Sequence, residues 1–161
     1  MVSAVLAAAL AVSLCGRPGL ADVIGEARII DGDTIEIGGE RIRLHGIDAP
    51  EARQACTAGG TEWLCGEASS VALSDRTEGR VVTCRGNRRD RYGRLIAVCF
   101  EGDDDLNAWM VREGWAVAYR RYAHDYVEAE AEARGAGRGM WAGEFTEPSV
   151  WRQGAPPQAQ R

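Results

Sequence analysis

The dipeptide Gly38-Gly39 stands between two segments rich in Ile, Leu and Arg, residues 26–37 and 41–47, and this pattern commits the start of the chain to a glycine-turned β-hairpin. The second segment alternates with period 2. Ile42, Leu44 and Gly46 fall on one face and Arg41, Arg43 and His45 on the other, because successive strand side chains point to opposite sides. Residues 56–60 read as a loop. From Thr61, a plausible N-cap, to Arg76, the spacing of Ala, Val and Leu predicts a helix. Strands over 80–85 and 94–100 follow, joined by an arginine-rich turn. Asp104 or Asp105 then caps a second helix reaching 112–114, and 122–138 makes a third, with Gly135, Gly137 and Gly139 fraying its end. The order is α+β. Trp109, Trp115 and Trp141 read as packing anchors, and Phe145, Pro148 and Trp151 as residues that dock the C-terminal segment. Period and turn signals alone do not choose between a barrel and another α+β sheet.

A length of 161 residues with 45% hydrophobic composition suits one domain with one core. Residues 2–15 are apolar and Gly19-Leu20-Ala21 offers small residues where a signal peptidase reads, so 1–21 is expected to be a signal peptide despite lacking a basic n-region. A membrane helix is the alternative, but Gly16, Arg17 and Pro18 stop the run short of the roughly 20 residues that a span needs. The expected domain is 22–152, and 153–161, with Pro156, Pro157 and glutamines, is an expected disordered tail. Export implies a periplasmic or secreted protein without stable membrane association. Cleavage would leave Cys56, Cys65, Cys84 and Cys99, an even set of the kind that forms disulfides. Three pairings are possible; proximity favours Cys56 with Cys65, and Cys84 and Cys99 lie at the far ends of the two strands flanking the arginine-rich turn. No Cys-x-x-Cys pair speaks for zinc.

Net charge is −5, and every basic residue is arginine, the chain having no lysine. An acidic chain still binds nucleic acid where positive charge is local. Arg85, Arg88, Arg89, Arg91 and Arg94 crowd one stretch around Asp90. For Arg85, Arg88 and Arg89 a solvated turn is the stronger reading, and Arg91 is evenly divided between that and phosphate contact.

Chemistry concentrates in Asp31-Gly32-Asp33-Thr34, in Arg43 to Glu51 and in Asp90 to Arg94. Carboxylates that hold a hard cation, with arginines that grip phosphate, describe a phosphodiester-cleaving site. Asp33 and Asp48 are the metal ligands of choice, fifteen residues apart on different strands. Asp-Gly turns also commonly bond only their own backbone amides, which is the competing reading of Asp31 and Asp33. Glu51, past Pro50, is a candidate general base or water-positioning group, and its low unperturbed pKa favours the latter. His45 reads as a rim residue and His124 as solvated.

In these three segments, in order and spacing, the chain resembles the staphylococcal nuclease family from about Ile24 to Arg152. The resemblance implies an OB-fold, a five-stranded β-barrel with three packed α-helices. It implies Ca2+ held by Asp33, Asp48 and the backbone carbonyl of Ala49, with Asp31 orienting ligated water. Ala49 departs from the family's usual threonine, which keeps the carbonyl and loses a hydroxyl. Arg43, Glu51 and Arg94 are the implied catalytic residues, Arg94 serving the leaving side. Tyr92 and Tyr119, with Arg91, match substrate-contacting positions, although cross-strand packing accounts equally well for Tyr92. Asn107 matches a position that ties helix to barrel. The implied activity is hydrolysis of DNA and RNA with low base selectivity, by a monomer, leaving phosphate on the 3′ side. A barrel that kept nucleic-acid binding and lost catalysis, or an envelope interaction protein on the same barrel, are the rivals; the complete set Asp33, Arg43, Asp48, Glu51 and Arg94 favours the enzyme.

Overall fold

The computed structural model describes residues 22–154, so the expected signal peptide and all but the first two residues of the expected tail lie outside the described residues. The elements are β1 Val23–Glu26, β2 Arg28–Asp31, β3 Thr34–Ile37, β4 Glu40–Leu44, β5 Ile47–Asp48, β6 Cys56–Ala58, β7 Thr61–Trp63, α1 Cys65–Thr77, β8 Val81–Arg89, β9 Leu95–Glu101, β10 Asp104–Asp105, α2 Leu106–Arg112, β11 Val117–Ala118, α3 Val127–Ala136 and α4 Pro148–Trp151, with a 3-10 turn at Gly139–Ala142 before α4.

The main sheet runs β1-β8-β9-β4-β3-β2, with β10 added to β9. Its two outer strands, β1 and β2, are separated in sequence only by Ala27. The sheet therefore curls until its edges meet along one continuous stretch of chain, the α+β architecture expected. It contains seven strand segments rather than five. Joining β1 with β2 and setting aside the two-residue β10 recovers the five. All its pairings are antiparallel except β4 with β9.

The glycine hairpin forms as expected. Gly38 and Gly39 have φ of 58° and 87°, the left-handed pair that a two-residue turn between right-twisted strands needs, and Ile37 pairs with Glu40. Alternation in β4 sends Ile42 and Leu44 fully inward, onto Ile35, Ile37, Val82, Leu95 and Ala97 of the barrel. Leu73 of α1 and Leu106, Met110 and Val111 of α2 close the core from outside. Asn107 is buried at the seam: it accepts from the Cys99 amide at 3.1 Å and donates to the His45 and Ala97 carbonyls at 2.9 and 3.2 Å.

Several boundaries differ from expectation. Thr61 is not an N-cap; it begins β7, because Gly59 and Gly60, with φ of 57° and 78°, turn the expected loop into a small hairpin, and α1 starts at Cys65. The third helix starts at Val127, since 119–126 is spent on tight turns that bring Tyr119 and Tyr122 edge to face and bury Tyr126. Strand β8 continues to Arg89 through a bulge between Arg85 and Arg88, where Gly86 lets the Ile96 backbone approach. Helix α2 carries the expected cap, Asp105 accepting from the Ala108 amide. Phe145 and Pro148 are buried as expected, but Trp151 stays 37% exposed because the short α4 points it outward.

Disulfides join Cys56 to Cys65 and Cys84 to Cys99, the latter pair directly opposed in the β8–β9 register. Two disulfides in so short a chain suit an oxidising compartment. Among the described residues no helix is long and apolar enough to cross a membrane.

Candidate active site

Gly32 allows the β2–β3 turn to press against α1. A Cβ there would lie 2.0 Å from the Ser69 hydroxyl oxygen and 2.7 Å from Ala49 Cβ. In that turn Asp31 Oδ1 accepts from the Asp33 amide at 3.0 Å, the local bond typical of Asp-Gly sequences. Asp33 is different: its carboxylate is buried, with Oδ2 accepting from the Ala49 amide at 3.0 Å and Oδ1 from the Thr34 hydroxyl at 3.0 Å. The Ala49 amide thereby clasps the β2–β3 turn to the segment after β5, and Asp48 on β5 is brought beside it, also buried.

Arg43, on the polar face of β4, joins the two carboxylates. Its Nη1 lies 2.9 Å from Asp33 Oδ1 and its Nη2 2.9 Å from Asp48 Oδ1. A guanidinium has five N–H donors, so this bridge leaves further donors for another acceptor. On one side the network runs from Asp33 through the Thr34 hydroxyl to Arg94 Nη1 at 3.2 Å. Arg94 is braced by Asp90, whose Oδ2 receives Nε and Nη2 at 2.7 Å each. On the other side Arg152, just past α4, places Nη2 at 3.1 and 2.9 Å from the two Asp48 oxygens and Nη1 at 2.8 Å from Glu51. One chain of polar contacts thus links Arg94, Thr34, Asp33, Arg43, Asp48, Arg152 and Glu51.

Burial pushes the Asp33 carboxyl up to about 7, with Asp31 and Asp48 adding to the rise and Arg43 and the Ala49 amide opposing it. Burial works against the Arg43 charge, but Asp33, Asp48 and Asp31 hold its pKa above the ordinary arginine value. Arg152 is likewise raised, its desolvation outweighed by Asp48 and Glu51. Asp90 sits below the usual carboxylate range: desolvation is outweighed by the hydrogen bonds from Arg94 and Tyr92.

The network opens on a cleft of about 760 Å³ lined by Asp31, Asp33, Arg43, Ala49, Glu51, Arg91, Tyr92, Arg94, Tyr119 and Arg152, among others. Asp48 faces a smaller adjoining hollow of about 480 Å³ that shares Arg91, Tyr119, Arg121 and Arg152 with the cleft. The residues singled out from sequence are therefore brought together, with differences in detail. Tyr92 does not pack across strands; it is 69% exposed, with Arg91 and Arg94 guanidinium carbons 4.7 and 5.5 Å from its ring centre. Arg89 also lines the cleft, but its guanidinium is taken by Glu40 at 2.6 Å. His45 lies on the cleft rim, 3.7 Å from Asp125. Asp90, Thr34, Gln54 and Arg152 were not anticipated. Arg152 has no flanking motif, and only the surplus of carboxylates over arginines in the site segments hints that another cation is needed.

Among the described residues no three His, Cys, Asp or Glu side chains converge as a ready-made metal cluster. The donors at hand, the buried carboxylates of Asp33 and Asp48 with Asp31 beside them, are oxygen-only, and that chemistry fits a hard divalent cation completed by backbone oxygen and water.

Residues 41–143 match the family model described as staphylococcal nuclease homologue. The chain belongs to the staphylococcal nuclease family. It is 40% identical over 144 residues to the succinoglycan biosynthesis protein ExoI of Rhizobium meliloti, covering 87% of this chain and 74% of that one. An uncharacterized endonuclease of Haemophilus influenzae is 37% identical over 134 residues, 78% of this chain and 70% of its own. A micrococcal nuclease of Shigella flexneri is 36% identical over 165 residues, covering 91% and 90%. As a member of this family the protein is a nuclease, a phosphodiesterase hydrolase, and the family is generally metal-dependent. The matched segment contains Arg43, Asp48, Glu51 and Arg94; Asp31, Asp33 and Arg152 lie beyond its ends.

Proposed function

We propose that this nuclease is exported, with 1–21 removed and 22–152 as its folded domain, and that it uses Ca2+ to hydrolyse DNA and RNA with low base selectivity. The observation that carries the reading is the Arg43 bridge between two buried carboxylates, Asp33 lining an arginine-rich cleft and Asp48 the hollow that adjoins it. Residues that keep two acids and a cation out of water at such close range incur a desolvation cost that a purely structural site would avoid. The two disulfides support export.

In this reading Asp33, Asp48 and the Ala49 carbonyl would hold the cation, with Asp31 placed to orient water beside it. The bound cation would relieve negative charge on a phosphate oxygen. Arg43 offers its remaining N–H donors to a phosphate oxygen, and Arg94, pre-aimed by Asp90 and Thr34, meets the charge that develops as the bond to the leaving oxygen breaks. Glu51 accepts a hydrogen bond from the attacking water and aligns it with phosphorus. Tyr92, Tyr119 and Arg91 flank the nucleotide, and contact with backbone and ring faces explains the low base selectivity.

The test is incubation of mature protein with single-stranded and duplex DNA and with RNA, in calcium and in chelator. Cleavage of all three in calcium and none in chelator is expected. Binding without cleavage under every cation tried would leave a nucleic-acid-binding barrel and refute the calcium enzyme.

A further inference from the structure

Glu51 stands in a turn, 39% exposed at its side chain, and a carboxylate free to rotate there would align water poorly. The structure supplies a restraint from the far end of the chain. Arg152 Nη1 holds Glu51 Oε1 at 2.8 Å while Nη2 holds both oxygens of Asp48, so one planar guanidinium fixes the spacing of the two acids. Exposed ion pairs of this kind often contribute nothing, because their long side chains wander. Here both ends are anchored. Asp48 is buried, and Gln54, itself fully buried, ties the turn to the approach of α4: its Oε1 accepts from the Glu51 amide at 3.3 Å and its Nε2 donates to the Thr146 carbonyl at 2.6 Å. Two residues on, Pro148 is buried at the first turn of α4, and the Arg152 amide donates to its carbonyl at 3.1 Å. The backbones that carry Glu51 and Arg152 are thus fastened to each other independently of the ion pair.

We propose that Arg152, delivered by α4, is a positioning residue of the active site, which by tying Glu51 to Asp48 holds the Glu51 carboxylate where it directs the attacking water. This rests on the role proposed for Glu51. The segment around α4 is then part of the enzyme rather than a trailing end, although it lies outside the stretch that defines the family match.

The experiment is a double-mutant cycle on the mature protein, Arg152→Ala and Glu51→Gln singly and together, by single-turnover cleavage, with calcium affinity measured by calorimetry and folding by circular dichroism. Arg152→Ala is expected to lower the rate about tenfold to a hundredfold, as loss of an orienting partner does, with KM little changed. In the Glu51→Gln background the same change should cost less than about twofold, because coupled residues are not additive. Calcium affinity should stay within about threefold, since Asp48 keeps its carboxylate, and Arg152→Lys, which keeps the charge and loses the fork, should restore part of the rate. Equal losses in both backgrounds, or no loss in either, overturn the positioning role. So does a variant that binds calcium tenfold or more tighter and cleaves at least as fast, because Arg152 would then compete with the cation. An active wild type with an indifferent Arg152→Ala refutes this role alone, whereas a wild type that cleaves nothing in calcium refutes the proposed function and this role with it.

Discussion

The two walls of the cleft carry arginines held in opposite ways. On the inner wall Arg43, Arg94 and Arg152 each sit within 2.9 Å of a carboxylate oxygen, and those carboxylates are fixed by backbone amides or burial. On the outer wall Arg88, Arg91 and Arg121 are exposed and have no carboxylate partner among the described residues; Arg91 leans on Tyr92 and Arg121 on Tyr122. A charge paired beforehand loses little freedom when the reaction develops, so it can act on the transition state. A free, exposed charge loses rotamer entropy whenever it grips phosphate, and its contribution is general attraction. The inner wall should therefore govern rate and the outer wall should govern capture.

The largest effect that would establish this difference is on turnover. Arg94→Ala, measured in single-turnover cleavage at saturating substrate, should lower the rate by about 10² to 10³, the cost of removing a preorganised charge. Glu51→Gln should cost about 10² to 10⁴ if it works directly on the water proton, and fluorescence-detected nucleotide binding should be largely kept. An Arg94→Ala enzyme within threefold of wild type would place that arginine with the outer set, and the comparison of walls would collapse.

Next in size is the metal. Asp48→Asn should weaken calcium affinity by calorimetry by at least the roughly 10-fold that losing even an outer partner costs, with activity falling in step. Circular dichroism should be unchanged, because the amide oxygen still accepts from Arg43 and Arg152. Full affinity in this variant would remove Asp48 from the ligand set.

Asp33 sharpens the contrast through pH, since no outer-wall acid is buried in this way. Its carboxyl is raised to about 7 in the folded protein from 3.8. Without cation the folded state therefore binds more protons than the unfolded chain between those values, so Asp33's contribution to stability is fully present below about pH 4 and lost as pH rises to about 7. The cation needs the ionised form, and its affinity should move the other way, rising nearly tenfold per pH unit up to about pH 7 and then levelling. Calorimetric titrations from mildly acid to mildly alkaline buffer decide it, and a flat affinity would mean that Asp33 is already ionised or is no ligand.

How much of this was legible in the sequence depends on distance along the chain. The Gly38-Gly39 hairpin, the inward Ile42 and Leu44 and the Asp105 cap follow from local rules, and they appear where those rules put them. The cluster of Asp33, Arg43 and Asp48 was readable because the two motif segments that carry it, 31–34 and 43–51, are near in sequence. Arg152 was not: it meets Glu51 across 101 residues, and neither period nor spacing encodes a contact made by tertiary packing. Gln54 was hidden for a related reason, since a lone glutamine after a turn looks like a surface residue until Thr146 is placed against it. Thr61 misled because a threonine before an apolar run suits an N-cap or a strand equally, and the decision lay in Gly59 and Gly60.

The smallest expected effect is the one that isolates the outer wall. Arg88 lies on β8 past the bulge, lines the cleft, and meets no carboxylate among the described residues, so its loss leaves no buried acid unpaired and disturbs none of the inner contacts. Each arginine that neutralises a phosphate releases counterion, and removing one should shallow the plot of log affinity against log salt by about 0.7 on single strands. Arg88→Ala should therefore weaken binding at low salt, converge on wild type as salt rises, and leave saturated turnover within about twofold, since it holds nothing that meets the transition state. Fluorescence binding across a salt series, with cleavage at one fixed salt, separates the two quantities. An unchanged slope would make Arg88 a solvated strand residue and narrow the outer wall to Arg91 and Arg121; a loss of turnover as large as that of Arg94→Ala would mean that free and braced arginines serve the reaction alike, and bracing by Asp90 would then not be what makes Arg94 catalytic.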